Sequence, residues 1–344
     1  MKGVTFGSYH SYDDFNLILS QKIIGTPSPK TNVIDIAGGD GVLDLTEYFG
    51  DVKYNNRSIS FDFSTTVPQA QFMDLFSQVQ NALHGQKMRI TLDDDPEFYY
   101  VGRISVSEWK TDKSIGKLTI DCDCDPWKFK TKTTSKMVKL CGRNMVNLSA
   151  AVKMTSNGIW TQTETGFDFV RAGVGGSYVY FSIPVKAGNT YAFSANGTTY
   201  HDSIALIVYS DRMYGTTVAY AGNGAPAIFT AKMNGIFVFA LNTFSTSNDA
   251  SFRNVMVEES ASVGSFEAYS EETQTSEELF VNLKKAAFPK LFLQGTATLT
   301  SGTTSQAFES GTHLLPNFLL KSGNTPIAFT GNGVAVVEWQ EGGL

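Results

Sequence analysis

Cysteine, histidine, basic stretches and long apolar runs are all scarce in this chain. Its 344 residues hold three cysteines, Cys122, Cys124 and Cys141, and four histidines, His10, His84, His201 and His313. Cys122 and Cys124 stand two apart on an alternating strand and point the same way, so a bridge between them would be strained. Three reduced thiols, in a chain that folds in a cytoplasm, are the expectation. No histidine has a second ligand at helical or hairpin spacing, and no HExxH, G-x-S-x-G, Walker or dinucleotide pattern is present. Lys and Arg number 27 against 33 acids, a net charge of −6. Without a basic stripe, nucleic acid is not the expected partner. No run of about 20 apolar residues is available to span a bilayer. The start MKGVTFGSYHSYDDF lacks the apolar core of a signal peptide, so secretion by the usual route is not expected.

Proline is sparse as well, 10 residues against 31 glycines. With short runs of Val, Ile, Thr, Phe and Tyr, this composition predicts a mainly β protein with tight turns. The chain is too long for one ordinary core, and two or three domains are expected. Up to about residue 129 the pattern reads as strands and one helix. Pro68 takes the first helical position, Phe72, Leu75, Phe76, Val79 and Leu83 form one apolar face, and Gly85 follows as a stop. Strands are expected over 88 to 92, 99 to 106 and 117 to 123. Residues 141 to 272 are richer in Gly, Asn, Ser and Thr, with short strands at 166 to 171, 177 to 185, 190 to 196, 203 to 210, 237 to 242 and 251 to 258. Asn-Gly turns at 157, 196 and 234 complete the pattern of a β-sandwich or jelly roll.

Clusters that could carry chemistry mostly have plainer readings. Asp121, Asp123 and Asp125 alternate like the start of a calcium loop, but Pro126 and Lys132 occupy the places that need glycine and an acid. Asp93, Asp94 and Asp95 read as a hairpin tip. The GGDG run from residue 38 to 41 lacks the helix and lysine of a phosphate cradle, and reads as a turn. Cys141 has no evident base partner. Adjacent Glu258 and Glu259 point to opposite faces of a strand, so they are not a glycosidase pair, and one solvated acid at the end of a strand is expected. Asp168 has no partner placed by motif.

Sugar binding has positive signal. Saccharides lay apolar C–H faces on aromatic rings, with polar neighbours for the hydroxyls. The candidates are Trp160, Tyr178, Tyr180, Tyr200, Tyr209, Tyr214 and Tyr220, with Arg212 among the polar neighbours. Tyr178 and Tyr180 share a strand face, and Tyr214 and Tyr220 lie in or near a Gly-rich loop that could rim a groove.

The most patterned stretch runs from residue 38 to 63. It passes from a glycine turn to Ile59, Phe61 and Phe63, the alternation of a strand with one buried face. Gly39, Gly41, Asp44, Thr46, Gly50, Tyr54 and Arg57 fill the slots of a loop pattern, and Asp125-Pro126-Trp127-Lys128 forms a second, independently placed phrase. On these residues the chain resembles the distal tail protein family of long, non-contractile phage tails. The runs AGNTYAFSANG and SFRNVMVEESASVGSFEAYSEE resemble carbohydrate-binding jelly rolls of tail and baseplate proteins. PKLFLQG, FLLKSGN and the strand from 334 to 339 resemble the galectin-like domain of the same tail family.

The resemblance implies three parts: an N-terminal α+β belt domain over 1 to 129, a discontinuous galectin-like β-sandwich from 130 to 140 and 273 to 344, and an inserted jelly roll over 141 to 272. It implies a structural protein of the virion tail tip, not an enzyme, whose belt domain closes a six-membered ring with Asp44, Tyr54 and Arg57 in the assembly region. The implied partners are further copies of the chain, the tail tube protein, the baseplate hub and a host cell-wall polysaccharide. No cofactor is implied beyond a structural calcium ion that an acid near Glu258 can help hold in related jelly rolls. The alternatives are a cell-wall glycoside hydrolase, which needs two acids at a groove, and a free carbohydrate-binding protein, which predicts a secretion signal and a monomer.

Overall fold

The structure is a computed structural model and describes residues 3–48, 50–112, 115–154, 158–198, 204–222, 224–243 and 249–344. It is mainly β, with one α-helix among the described residues. The chain divides into two compact units, one of Met1–Thr133, Leu283–Lys285 and Gln340–Leu344, the other of Thr134–Asn282 and Ala286–Trp339.

In the first unit seven strands follow the order Tyr9–His10, Val4–Phe6, Lys87–Leu92, Asp95–Asp112, Ile115–Cys124, Arg57–Thr65, Ile18–Ile24, all antiparallel. Strand Arg57–Thr65 buries every second residue, including Ile59, Phe61 and Phe63, as its alternation predicts. Phe6 and Phe61 lie four strand spacings apart, roughly 19 Å on a flat sheet, yet their rings meet edge to face at 5.7 Å. The sheet therefore rolls up around its apolar face. An ion pair from Lys22, on one edge strand, to Asp94, in the turn between Lys87–Leu92 and Asp95–Asp112, fits the same curl.

The helix Phe72–Leu83 buries Leu75, Val79 and Leu83 on this core, and Phe72 against Trp109 at its edge. It starts later than predicted. Pro68 is extended (ψ 141°) and precedes a 3-10 turn, Gln69–Gln71, in which Gln71 N–H donates to Pro68 O at 2.8 Å. Proline's missing N–H is as well tolerated before such a turn as at the first helical position. Asp93, Asp94 and Asp95 stand at a hairpin tip as predicted, and their side chains also make contacts beyond the turn. Asp93 faces His10 Nε2 at 3.2 Å, Asp94 takes Lys22, and Asp95 takes Lys128 at 3.0 Å.

In the second unit, strands Thr134–Leu140, Gly323–Trp339, Lys290–Ser301, Thr304–Leu314 and Gln274–Asn282 are hydrogen-bonded into one sheet. The first half of Gly323–Trp339 pairs with Gln274–Asn282 and its second half with Thr134–Leu140. Phe280 sits beside Thr325 near one end of this strand and Trp339 is at the other. A straight strand would part them by roughly 45 Å, but their rings are 5.6 Å apart. The single sheet thus folds over on itself into two layers. Gly333 lies at the bend (φ +119°), where a Cβ would fall 1.8 Å from Gln294 O.

Between residues 140 and 274 the chain builds two further five-stranded sheets. One is ordered Val152–Met154, Ser177–Val185, Gly235–Thr243, Ile204–Tyr209, Thr217–Gly222. The other runs Gly158–Gln162, Phe167–Arg171, Ala250–Glu258, Thr190–Thr198, Ala227–Thr230. Phe167, Phe169, Phe181, Phe193, Phe239 and Phe252 fill the core between them. Val334 of the folded-over sheet is buried in that same core, and Met137 packs against it. Asn196-Gly197 is not a turn as predicted but lies inside a strand, next to a bulge, where pairing with Ala250–Glu258 overrides local turn preference. The predicted turn at 157 lies outside the described residues.

Candidate assembly arm and ligand face

Residues 25–48 and 50–56 leave the rolled sheet as an antiparallel ribbon. Its base is tied by Gly25 N–H to Ser58 O (2.8 Å), Asn55 N–H to Ser28 O (2.9 Å) and Lys30 N–H to Lys53 O (2.7 Å). Its tip is the hairpin Val33–Asp35 with Val42–Asp44, which pairs with no other strand among the described residues. Asp44 Oδ1 accepts from Thr46 N–H at 2.8 Å. Hydrogen bonds from the Thr46 hydroxyl and backbone hold the Asp44 carboxyl below its ordinary value. Val33, Ile34, Ile36, Val42 and Leu43 are each about half exposed, on both faces of the hairpin. An isolated two-stranded hairpin in water is marginal at best, and apolar clusters of this kind mark contact surfaces.

Two of the residues expected in assembly anchor this arm instead of lying on its surface. Arg57 is buried, a correction to its expected place, because its guanidinium is spent inside the fold. Its Nε donates to Pro126 O at 3.0 Å, and it lies over the Tyr100 ring at 5.4 Å. Tyr54 is half-buried, its ring edge to face with Trp127 at 5.5 Å. The two sequence phrases that carry the family resemblance, far apart in the chain, are thus bound to each other.

In the sandwich, register decides which aromatics share a surface. Tyr178 lies opposite Met154 and Asn242, Tyr180 opposite Val152 and Ala240, and Ile207 opposite Ala240 and Tyr220. Their neighbours Val179, Phe181, Leu206 and Phe239 point into the core, so the tyrosines occupy the outer face. Loop residues 210 to 216 reach over that face. Ser210 N–H donates to Thr216 O (3.0 Å) and Gly215 N–H to Arg212 O (2.9 Å). A Cβ at Gly215 would fall 1.8 Å from Asp211 Oδ1. The loop holds Tyr214 in a left-handed conformation (φ +61°), 60% exposed, with its ring edge to face with Tyr178 at 5.3 Å. Burial first, and then Tyr214, pushes the Tyr178 hydroxyl up to about 12, so it stays a neutral hydrogen-bonding group.

Tyr214 and Tyr220 are exposed, Tyr178 and Tyr180 half-buried, and Arg212 is exposed beside them. Tyr209 belongs to this face but is only 6% exposed. Trp160 is a correction. It is 4% exposed in the core, 4.7 Å from the Phe169 ring, because its position on Gly158–Gln162 faces the opposing sheet. Tyr200 lies outside the described residues.

Glu259 is exposed at the end of its strand, the one solvated acid expected there, and Glu258 faces the other way. Glu258 is buried and accepts from Gly264 N–H at 2.6 Å, with Arg143 Nε at 3.7 Å. Asp168 pairs with Arg253 at 2.7 Å. Asp168 sits opposite Ser251, and Glu258 ends the same strand roughly 23 Å further on. Glycosidase carboxyl pairs stand about 5 to 9.5 Å apart, so these two do not form one. The sequence reading missed Asn144, which is buried and fully used. Its amide donates to Val255 O (3.2 Å) and Glu267 O (2.9 Å), and its oxygen accepts from Val146 N–H (3.0 Å) and Val257 N–H (3.3 Å). Only the meeting of segments more than a hundred residues apart marks it out.

No family model matches the chain, and no curated protein does. Among solved structures it is similar to the SPP1 Dit protein, described as a paradigm of the hub adsorption apparatus in phages that infect Gram-positive bacteria. That likeness has 12% identity, covers 100% of both chains and has a TM-score of 0.41. It is also similar to a conserved protein of unknown function from Pseudomonas aeruginosa PAO1, at 11% identity over 61% of this chain and 100% of the other, with a TM-score of 0.14. Neither likeness reaches a score from which fold or function follows.

Proposed function

We propose that this chain is a structural component of a phage tail tip, a distal tail protein that forms a hexameric ring between the tail tube and the baseplate hub. The observation that carries the reading is the arm. Its hairpin exposes apolar side chains on both faces, which a solvated monomer does not stabilise, and its root joins the two sequence phrases of the distal tail family through Arg57 and Pro126. A second copy of the chain, lying against the arm, covers those side chains as the ring closes.

The sandwich over 141 to 272 carries the second half of the reading, attachment to a host cell-wall saccharide. Tyr178, Tyr180, Tyr214 and Tyr220 offer ring faces and Arg212 a hydrogen-bond donor on one outer surface. Six such faces on one ring turn a weak contact into firm attachment, since later contacts are intramolecular. The chain works by assembly and binding, without catalysis.

The test is electron microscopy of the purified chain, alone and mixed with its tail tube partner, beside a Val33→Asp/Leu43→Asp variant. Six-fold rings from the parent and none from the variant are expected. Rings from both would remove the arm from the interface. Rings from neither, under every condition and with the partner present, would sink the ring itself.

A further inference from the structure

On the sandwich, away from the tyrosine face, a cavity of about 140 Å³ opens between the start of the sandwich, the turn after Gly158–Gln162 and the returning segment from 266 to 271. Its polar wall is Asn147, Ser149, Gln162, Glu164, Glu271 and the Tyr269 hydroxyl. Burial raises the Tyr269 phenol above its ordinary value, so it remains a neutral donor or acceptor. Its apolar wall includes Leu148, Val255 and Phe266, a residue 36% exposed.

The walls are held before any ligand arrives. Asn144 locks both ends of the sandwich together with four hydrogen bonds, Arg143 N–H donates to Glu267 Oε1 at 3.0 Å, and Val255 N–H donates to Thr165 O at 2.9 Å. Ser149 Oγ donates to Glu271 Oε1 at 3.4 Å, a long contact that leaves the carboxylate able to take a better donor. The lining holds two carboxylates and no lysine or arginine. Such a site favours a compact ligand with a positive group, several hydroxyls and one apolar face.

We propose that this cavity binds a single hexosamine residue with a free amine, the ammonium between Glu164 and Glu271, the hydroxyls on Gln162, Asn147 and Tyr269, and the C–H face on Phe266. The proposal rests on the saccharide reading of the sandwich and adds a second site, selective for charge, to the neutral tyrosine face. An acetylated amine loses both the charge and the ion pairs, so the site discriminates against it.

The full chain is titrated with glucosamine, N-acetylglucosamine and glucose, followed by saturation-transfer NMR. Binding of glucosamine at least about tenfold tighter than the other two is expected, with that preference lost in Glu164→Gln/Glu271→Gln and kept in Tyr214→Ala. Both acids are exposed, and an unchanged thermal midpoint shows that the variant is folded. Equal response to all three sugars, or a preference that survives the double substitution, overturns the proposal. Calcium binding that depends on both acids, with no response to glucosamine, overturns it in favour of a metal site. Wall polymer bound through Tyr214 without any glucosamine response removes the pocket alone, whereas failure of every sugar and polymer removes the saccharide reading as well.

Discussion

The Arg57 guanidinium donates from Nε to the Pro126 carbonyl at 3.0 Å while covering the Tyr100 ring. One buried cation therefore joins the root of the arm to the end of the rolled sheet. Arg57→Ala leaves that carbonyl without its donor and is expected to cost about 2–4 kcal/mol. Denaturant unfolding of a fragment is not needed, since hydrogen exchange in the full chain reads it directly. Faster exchange confined to the arm's root and the segment after Asp125 is the expected pattern. Exchange unchanged there would show the contact to be idle.

Among the described residues, the arm hairpin contributes no side chain to any of the buried cores. Val33→Asp/Leu43→Asp is accordingly expected to leave the thermal midpoint of the monomer within about 1 °C, because surface changes fall within about 0.5 kcal/mol, while abolishing oligomer in analytical ultracentrifugation. A large loss of monomer stability would mean that the hairpin packs on its own chain.

Substitutions on the sandwich should separate by face. Tyr214→Ala and Tyr220→Ala each weaken wall-polymer binding by about 1–3 kcal/mol, as for rings stacked on a flat ligand, with stability unchanged. Trp160→Ala does the reverse and destabilises the sandwich by about 3–5 kcal/mol. Binding isotherms and thermal melts on the same samples decide. Two tyrosine variants that bind like the parent would move the site off this face.

Val334 lies in the sandwich core and Met137 packs against it, both from the neighbouring folded-over sheet. Lys139 pairs with Glu259 at 2.7 Å and Asn234 donates to Glu338 at 2.9 Å across the same junction. A fragment of residues 141 to 272 is therefore expected to melt lower than one of 134 to 339, by the few kcal/mol of a buried valine's cavity and its neighbours. Equal sandwich melting in the two fragments would show that the shared core adds nothing.

Burial pushes the thiols of Cys124 and Cys141 up to about 12, and that of Cys122 upward too. Native protein at pH 8 should leave all three unreactive to a thiol-disulfide reagent, with three equivalents released on unfolding. The unfolded thiols ionise near 9 while the folded ones stay protonated, so folding binds protons and stability falls as pH rises from about 9 to 12. Rapid native labelling at pH 8 would contradict this burial.

Much of the fold was legible in local pattern. The alternation Ile59, Phe61, Phe63 and the spacing Phe72, Leu75, Val79, Leu83 both name the buried face, because a strand or helix presents its apolar residues with a fixed period. The shared face of Tyr178 and Tyr180 follows from the same period. Trp160 was misplaced because a strand's period says which residues share a face but not which face meets the opposing sheet. Glu258 and Glu259 face opposite ways and Glu259 is exposed, as the period predicts, but that the buried one is Glu258 was not legible for a related reason. Its burial depends on Gly264 N–H and Arg143, one beyond the strand's end and the other over a hundred residues away.

Local pattern was enough to show a mainly β chain with one amphipathic helix, cysteines that form no disulfide framework, and a tyrosine-rich middle segment distinct in character from what precedes it. These follow from composition and short periods, which act within a few residues. Tertiary structure alone decided that Arg57 is buried against Pro126, that the arm hairpin is left with its apolar side chains uncovered, and that Val334 completes the core of the sandwich. Each depends on which distant segments meet, and that is set by sheet curvature and strand register, which no local window contains.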